Sequence, residues 1–123
     1  MLIERMRADS PAGRSQSSSY KDLTWSVATA SDESLDLTGQ TAQALEILER
    51  NLIGLGSDKT KIISAYVFIA DINDKPIMDK VWNAWIGDNP EHWPQRACLG
   101  VDLGGNWLIE ITVTALRNEP VSE

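Results

Sequence analysis

Pro94-Gln95-Arg96-Ala97-Cys98-Leu99-Gly100-Val101-Asp102-Leu103-Gly104-Gly105-Asn106-Trp107-Leu108-Ile109-Glu110-Ile111-Thr112-Val113 is the stretch on which the fold turns. With a period of two, its first limb places Ala97, Leu99, Val101 and Leu103 on a core face and Arg96, Cys98, Gly100 and Asp102 on a polar one. The second limb divides the same way, with Trp107, Ile109, Ile111, Val113 and Ala115 opposed to Leu108, Glu110, Thr112 and Thr114. Gly104-Gly105-Asn106 is a turn signal, so the limbs read as an antiparallel hairpin. In that register Gly100 faces Glu110, and the bare glycine leaves a hollow beside the carboxylate. Arg96 and Cys98 lie further along the same face. A guanidinium, a thiol, a carboxylate and a glycine on one surface suit a small anionic ligand, because guanidinium binds carboxylate through two parallel hydrogen bonds. The alternative from pattern alone is a solvated face carrying an edge ion pair.

Outward from this stretch, Ile62 to Ala70 is apolar on both faces and rich in β-branched and aromatic residues, which predicts a strand buried within a sheet. Asp71-Ile72-Asn73-Asp74 breaks it, and a helix follows over Lys75 to Ile86, with Pro76 in its first turn, Gly87 at its end, and Ile77, Val81 and Trp85 on its apolar face. Before the strand, Thr41, Leu45, Leu48, Leu52 and Leu55 recur at three- and four-residue steps, predicting a helix over Leu37 to Leu55 capped by Asp36 or Thr38 and ended by Gly54 or Gly56. Further back, Ser17-Ser18-Ser19-Tyr20 and Leu23-Thr24-Trp25-Ser26-Val27-Ala28 flank Lys21-Asp22 as a hairpin, with Leu23, Trp25 and Val27 on one face and Trp25 in the core. Ala8 to Ser19 is loop-like in composition, and Met1 to Arg7 alternates loosely as a short first strand. The order strand, strand, strand, helix, strand, helix, strand, strand gives an α+β domain spanning 1–123: a six-stranded mixed sheet with two helices on one face, whose other face needs cover.

Composition excludes several function classes. A net charge of -7 repels a phosphate backbone, and the 11 Lys and Arg form no basic stripe, so no nucleic acid partner is expected. The single cysteine, Cys98, excludes an intramolecular disulfide and fits a reducing compartment; the lone His92 rules out a multi-histidine metal site. The opening residues lack the apolar core of a signal peptide and no run approaches the ~20 apolar residues of a membrane span, so the expectation is a cytoplasmic chain with no membrane partner.

The runs Gly56-Ser57-Asp58-Lys59, Ile63-Ser64-Ala65-Tyr66-Val67-Phe68-Ile69-Ala70-Asp71-Ile72, Val81-Trp82-Asn83-Ala84-Trp85, Pro94-Gln95-Arg96-Ala97-Cys98 and Leu108-Ile109-Glu110-Ile111, in this order and spacing, resemble the Rid family of reactive intermediate deaminases, also called endoribonuclease L-PSP. The resemblance covers the last two-thirds of the chain, and its Pro-x-Arg-x-Cys plus Ile-Glu-Ile combination is specific. It implies a chorismate mutase-like homotrimer with sites at subunit interfaces. It also implies a hydrolase for 2-imino acids such as 2-iminopropionate, needing no metal or cofactor. Arg96 would hold the substrate carboxylate. Glu110, with the backbone carbonyl near Cys98, would position the attacking water, and Trp82 and Trp93 are candidates for the pocket lining. The family's amino-terminal Gly-Pro-Tyr and its Thr-Ser-Gly-Gln supply a tyrosine and a serine; here the corresponding places read Gly13-Arg14-Ser15 and Ser26-Val27-Ala28-Thr29. Two further readings stand beside the deaminase: a non-catalytic trimer that binds a small carboxylate at Arg96, and a ribonuclease, which the acidic charge and the absence of a histidine pair disfavour.

Overall fold

A computed structural model describes residues 2–8 and 13–118. Six strands, β1 (Glu4–Arg7), β2 (Ser15–Tyr20), β3 (Leu23–Thr29), β4 (Ile62–Ile69), β5 (Gln95–Gly100) and β6 (Ile109–Leu116), form one mixed sheet in the order β1-β2-β3-β6-β4-β5. Two helices, α1 (Leu37–Gly54) and α2 (Lys75–Ile86), cover one face of the sheet. All neighbouring strands are antiparallel except β4 and β5. The α+β architecture read from the element order is the observed one, and α2 has the predicted bounds.

The helices form where the local chemistry favours them. Asp36 accepts a hydrogen bond from the Gly39 N–H at 2.9 Å, capping α1. Leu45, Leu48 and Leu52 bury completely, or nearly so, against the sheet. Gly56, at φ +82°, lets the chain leave the helix where a side chain would be strained. The sheet side of this core is Ala65, Val67 and Ile69 of β4 with Ile109, Ile111, Val113 and Ala115 of β6. In α2 the buried residues are Met78, Trp82 and Ile86, not the predicted Ile77, Val81 and Trp85, and Ile77 is 45% exposed. The stripe is rotated by about one residue because α2 packs chiefly against α1 and meets the sheet edge through Met78, Asp79 and Trp82 at Arg96; Val81 and Trp85 are partly buried at the margin, the Trp85 indole N–H donating to Glu49 at 3.0 Å.

The hairpin predicted between β5 and β6 does not form. Gly104 and Gly105 do turn, at φ +75° and +52°, but the turn carries the chain across the end of β4. The Ile69 carbonyl accepts from the Val101 N–H at 2.9 Å, and the Ala70 N–H donates to the Leu108 carbonyl at 3.1 Å. β5 therefore lies parallel to β4 on one side, while β6 inserts between β3 and β4 on the other. Burial of one row from each strand favours this arrangement: β4 and β6 carry the most completely buried apolar rows, so they pair with each other at the centre and leave the more polar β5 at the edge.

Face assignment changes with it. β5 registers Arg96 with Ala65, Cys98 with Val67 and Gly100 with Ile69, so these three lie on the helix-covered face, whereas Ala97 and Leu99 lie with Tyr66 and Phe68 on the open face. The same inversion holds in β3, where Thr24, Ser26 and Ala28 are buried beneath α1 and Trp25, 37% exposed, stands on the open face instead of in the core. Small hydroxyl residues suit the covered position because they satisfy one another there: Ser17 and Ser26 share a 2.8 Å hydrogen bond, and Ser19 donates to Thr24 at 2.7 Å. On the open face Trp25, Tyr66 and Leu99 are each more than a third exposed, which leaves an apolar sheet surface opposite the helices.

Candidate functional site

Arg96 enters the protein interior from the edge strand. Its guanidinium carbon lies 5.1 Å from the Trp82 ring centroid, one terminal nitrogen donates to Asp79 Oδ1 at 2.6 Å, and the other is 3.8 Å from the Met78 sulfur. Cation–π contact and a charge-assisted hydrogen bond together hold the fork in one orientation. Asp79 in turn accepts from Lys75, one helical turn earlier, at 2.8 Å. Desolvation pushes the Asp79 carboxyl up, but hydrogen bonds from Lys75 and Arg96 outweigh it and leave the group below its usual value. Two cations, Lys75 and Arg96, share the one Asp79 carboxylate.

Beside this cluster is a cavity of about 400 Å³ walled by Trp82, Ile86, Trp93 and Pro94, with Arg96, Asn83 and Asp88 as polar groups. Three of the residues expected in the site, Arg96, Trp82 and Trp93, thus meet at one cavity. Trp93 is held there by its indole N–H, which donates to the Gly87 carbonyl at 2.9 Å.

Cys98 faces the helix side and packs against the core, and burial pushes its thiol up against the opposing pull of Arg96 and Lys75. A thiol so placed is a packing group rather than a nucleophile.

Glu110 is not on the face that carries Arg96. Its register partner on β4 is Phe68, three residues along from Ala65, the partner of Arg96, and an odd step along a strand reverses the side-chain direction. Glu110 lines a second cavity, of about 540 Å³, with Arg14, Gln16, Thr29, Leu103 and Trp107. The expected hollow at Gly100 is absent as well: a Cβ there would lie 2.9 Å from the Ile72 Cβ, so Ile72 fills the space.

Two positioning residues were not anticipated from sequence. Asp79 had a legible signal, its place four residues after Lys75 at the start of a helix. Gln40 had none; fully buried, it accepts from the Leu108 N–H at 2.9 Å and donates to the Asn106 carbonyl at 3.0 Å, fixing the segment that leads into Glu110.

Residues 25–117 match the family model described as endoribonuclease L-PSP. The chain belongs to the Rid/L-PSP family. Similar members include a RutC family protein of Haemophilus ducreyi, 35% identical over 88 residues, which are 71% of this chain and 74% of that protein. The RutC family protein YoaB of Escherichia coli K12 is 34% identical over 90 residues, 71% of this chain and 77% of its own. Among solved structures, an uncharacterized protein from Pseudomonas aeruginosa superposes with a TM-score of 0.83 at 28% identity, covering 95% of this chain and 100% of that one. A YjgF family member from Neisseria meningitidis gives 0.83 at 26% identity, covering 98% of each chain. The Rid/L-PSP match begins at Trp25, so Arg14 and Gln16, which share the cavity with Glu110, lie outside the matched segment. Among the described residues no helix is long and apolar enough to cross a membrane.

Proposed function

We propose that this Rid/L-PSP chain hydrolyses reactive 2-imino acids and their enamine tautomers to 2-keto acids and ammonia, at a site shared between copies of the chain. The observation that carries the proposal is Arg96, a guanidinium fixed by Asp79 and Trp82 at the wall of an aromatic cavity, ready to take a carboxylate without reorganising. Glu110 supplies the chemistry at the other end. Water adds to the carbon of the protonated imine as Glu110 takes one of its protons; the Glu110 carboxyl then gives that proton to the carbinolamine nitrogen, the C–N bond breaks to release ammonia, and the remaining hydroxyl proton passes back to the Glu110 carboxylate as the ketone forms. A protonated imine is already an electrophile, so orientation and proton transfer suffice.

Since one protomer turns Arg96 and Glu110 to opposite faces, the reading requires that one copy's Arg96 edge meet another copy's open face. The exposed Trp25, Tyr66 and Leu99 surface and the outer edge of β5, which pairs with no further strand among the described residues, favour such an assembly, for which we propose a homotrimer. A second reading, a carboxylate-binding trimer without turnover, is favoured by Ser15 and Val27 standing where the family's tyrosine and serine would be.

Ammonia release from freshly generated 2-iminopropionate separates the two. Turnover by the wild type, lowered roughly 10²-fold or more in Glu110→Gln with carboxylate binding retained, supports the hydrolase. Binding of pyruvate or benzoate that weakens by about 2–5 kcal/mol in Arg96→Ala, without any turnover, supports the binding module. A monomer mass by light scattering at micromolar concentration refutes a shared site.

A further inference from the structure

The cavity that holds Glu110 is bordered by a concentration of positive charge that the reaction above does not use. Arg14 lines that cavity and also an adjoining one of about 600 Å³, whose wall includes Arg5, Arg7, Ser15 and Ser18. The chain carries 11 Lys and Arg against 18 Asp and Glu, yet three of its arginines gather around this double recess, and among the described residues lining it the only acid is Glu110. Strand pairing builds the cluster. β1 and β2 are antiparallel, with Arg5 opposite Ser18 and Arg7 opposite Ser15, and a register shift between Met6 and Arg7 lies beside Arg7. Ser18 is in turn opposite Trp25, so Arg5 lies in the row of the open sheet face, the face that carries Glu110.

We infer that the recess around Arg14 is a subsite for a second carboxylate, and that the preferred substrates are 2-imino acids with an acidic side chain. This rests on the imine hydrolase reading, in which Arg96 of a neighbouring copy takes the carboxylate next to the reacting carbon. A dicarboxylic substrate then lies with its imine carbon at Glu110 and its distal carboxylate against Arg14, while Arg5 and Arg7 add charge behind it and Ser15, Ser18 and Gln16 offer hydrogen bonds. Guanidinium suits this role because it takes both oxygens of a carboxylate at once. With a substrate that has only a methyl side chain, the three cations gain nothing, so the recess distinguishes substrates by side-chain charge.

The test compares imines generated in place by amino-acid oxidases from alanine and from aspartate or glutamate, with the wild type and Arg14→Gln. The subsite requires that kcat/KM for the dicarboxylic imine exceed that for 2-iminopropionate by about tenfold or more, and that Arg14→Gln lower this ratio about tenfold. An Arg5→Gln/Arg7→Gln double variant should lower it less, and should reduce the dependence of the ratio on salt. Equal kcat/KM values in the wild type, or a ratio that Arg14→Gln leaves untouched, overturn the subsite. Calorimetry with oxaloacetate and pyruvate keeps the two proposals apart. If no imine is hydrolysed, the hydrolase reading fails, while tighter oxaloacetate binding that Arg14→Gln abolishes still supports the subsite and equal affinities still refute it.

Discussion

Replacing Gln40 with methionine, which keeps the length of the side chain and removes its polar atoms, tests how Glu110 is held. Gln40 is fully buried; its amide nitrogen reaches the carbonyls of Glu33, Leu35 and Asn106 at 3.3, 3.1 and 3.0 Å, and its oxygen accepts from the Leu108 N–H at 2.9 Å. Asn106 and Glu33 are exposed residues whose carbonyls can turn to water. The Leu108 N–H is part-buried beside Ile109 and has less recourse, so stranding it costs about 1–3 kcal/mol. Loss of the tether from α1 to the 104–108 turn adds about 1 kcal/mol, the net worth of an ordinary hydrogen bond. The sum, about 2–4 kcal/mol, corresponds to a urea midpoint lower by about 1–2 M if the slope is about 2 kcal/mol/M.

Urea titrations of wild type and Gln40→Met at one protein concentration give the number directly. Glu110 follows Leu108 by two residues, so the proposed imine turnover should also fall in the folded variant. Gln40→Glu adds a control of opposite logic: the carboxylate still accepts from Leu108 but offers no N–H to the three carbonyls, and as a buried charge it should destabilise more at pH 7 than near pH 5. A midpoint change under about 0.2 M in Gln40→Met would mean that water replaces the side chain and that the tether does not hold the turn.

Two other outcomes follow from the geometry of the β5 edge. Gly100→Ala puts a Cβ 2.9 Å from Ile72 Cβ and 3.2 Å from Ile72 N, an overpacked contact with backbone on one side, and should cost about 1–3 kcal/mol by urea titration. Because the folded Asp79 carboxyl lies below its ordinary value, its contribution is present above the unfolded pKa and is lost as pH falls through the lower folded value; Asp79→Asn should therefore flatten the stability profile below about pH 4, measured as urea midpoint against pH.

The elements were legible from sequence where one local rule governed them. α1 announces itself by its leucine stripe and Asp36 cap, α2 by Pro76 and Gly87, and β4 by an apolar run of strand length. Pairing was not legible, since Gly104-Gly105 is equally compatible with a tight hairpin and with a turn that steps over the end of a third strand. Only the competition among strands for the centre of the sheet decides between them, and that competition involves Ile62 to Ile69, 35 or more residues earlier in the chain.

The same choice of strand pairing decides where the site residues point. Alternation along β5 gave two sets of residues correctly, Arg96 with Cys98 and Gly100, and Ala97 with Leu99; what alternation cannot state is which set meets the helices. The usual inference sends the apolar set inward, and it fails here because the sheet has apolar surface on both faces: Leu99 belongs with Tyr66 on the open one, and the covered position at the sheet edge goes to Arg96, which Asp79 and Trp82 make tolerable inside. An arginine on the covered side of an edge strand, with its charge partner on the neighbouring helix, is as readable as a hydrophobic stripe once both faces are known to be apolar. Its consequence for function is geometric. The sheet directs Arg96 and Glu110 to opposite faces, so the proposed chemistry, in which one holds a carboxylate and the other a water on the same small molecule, requires two copies of the chain.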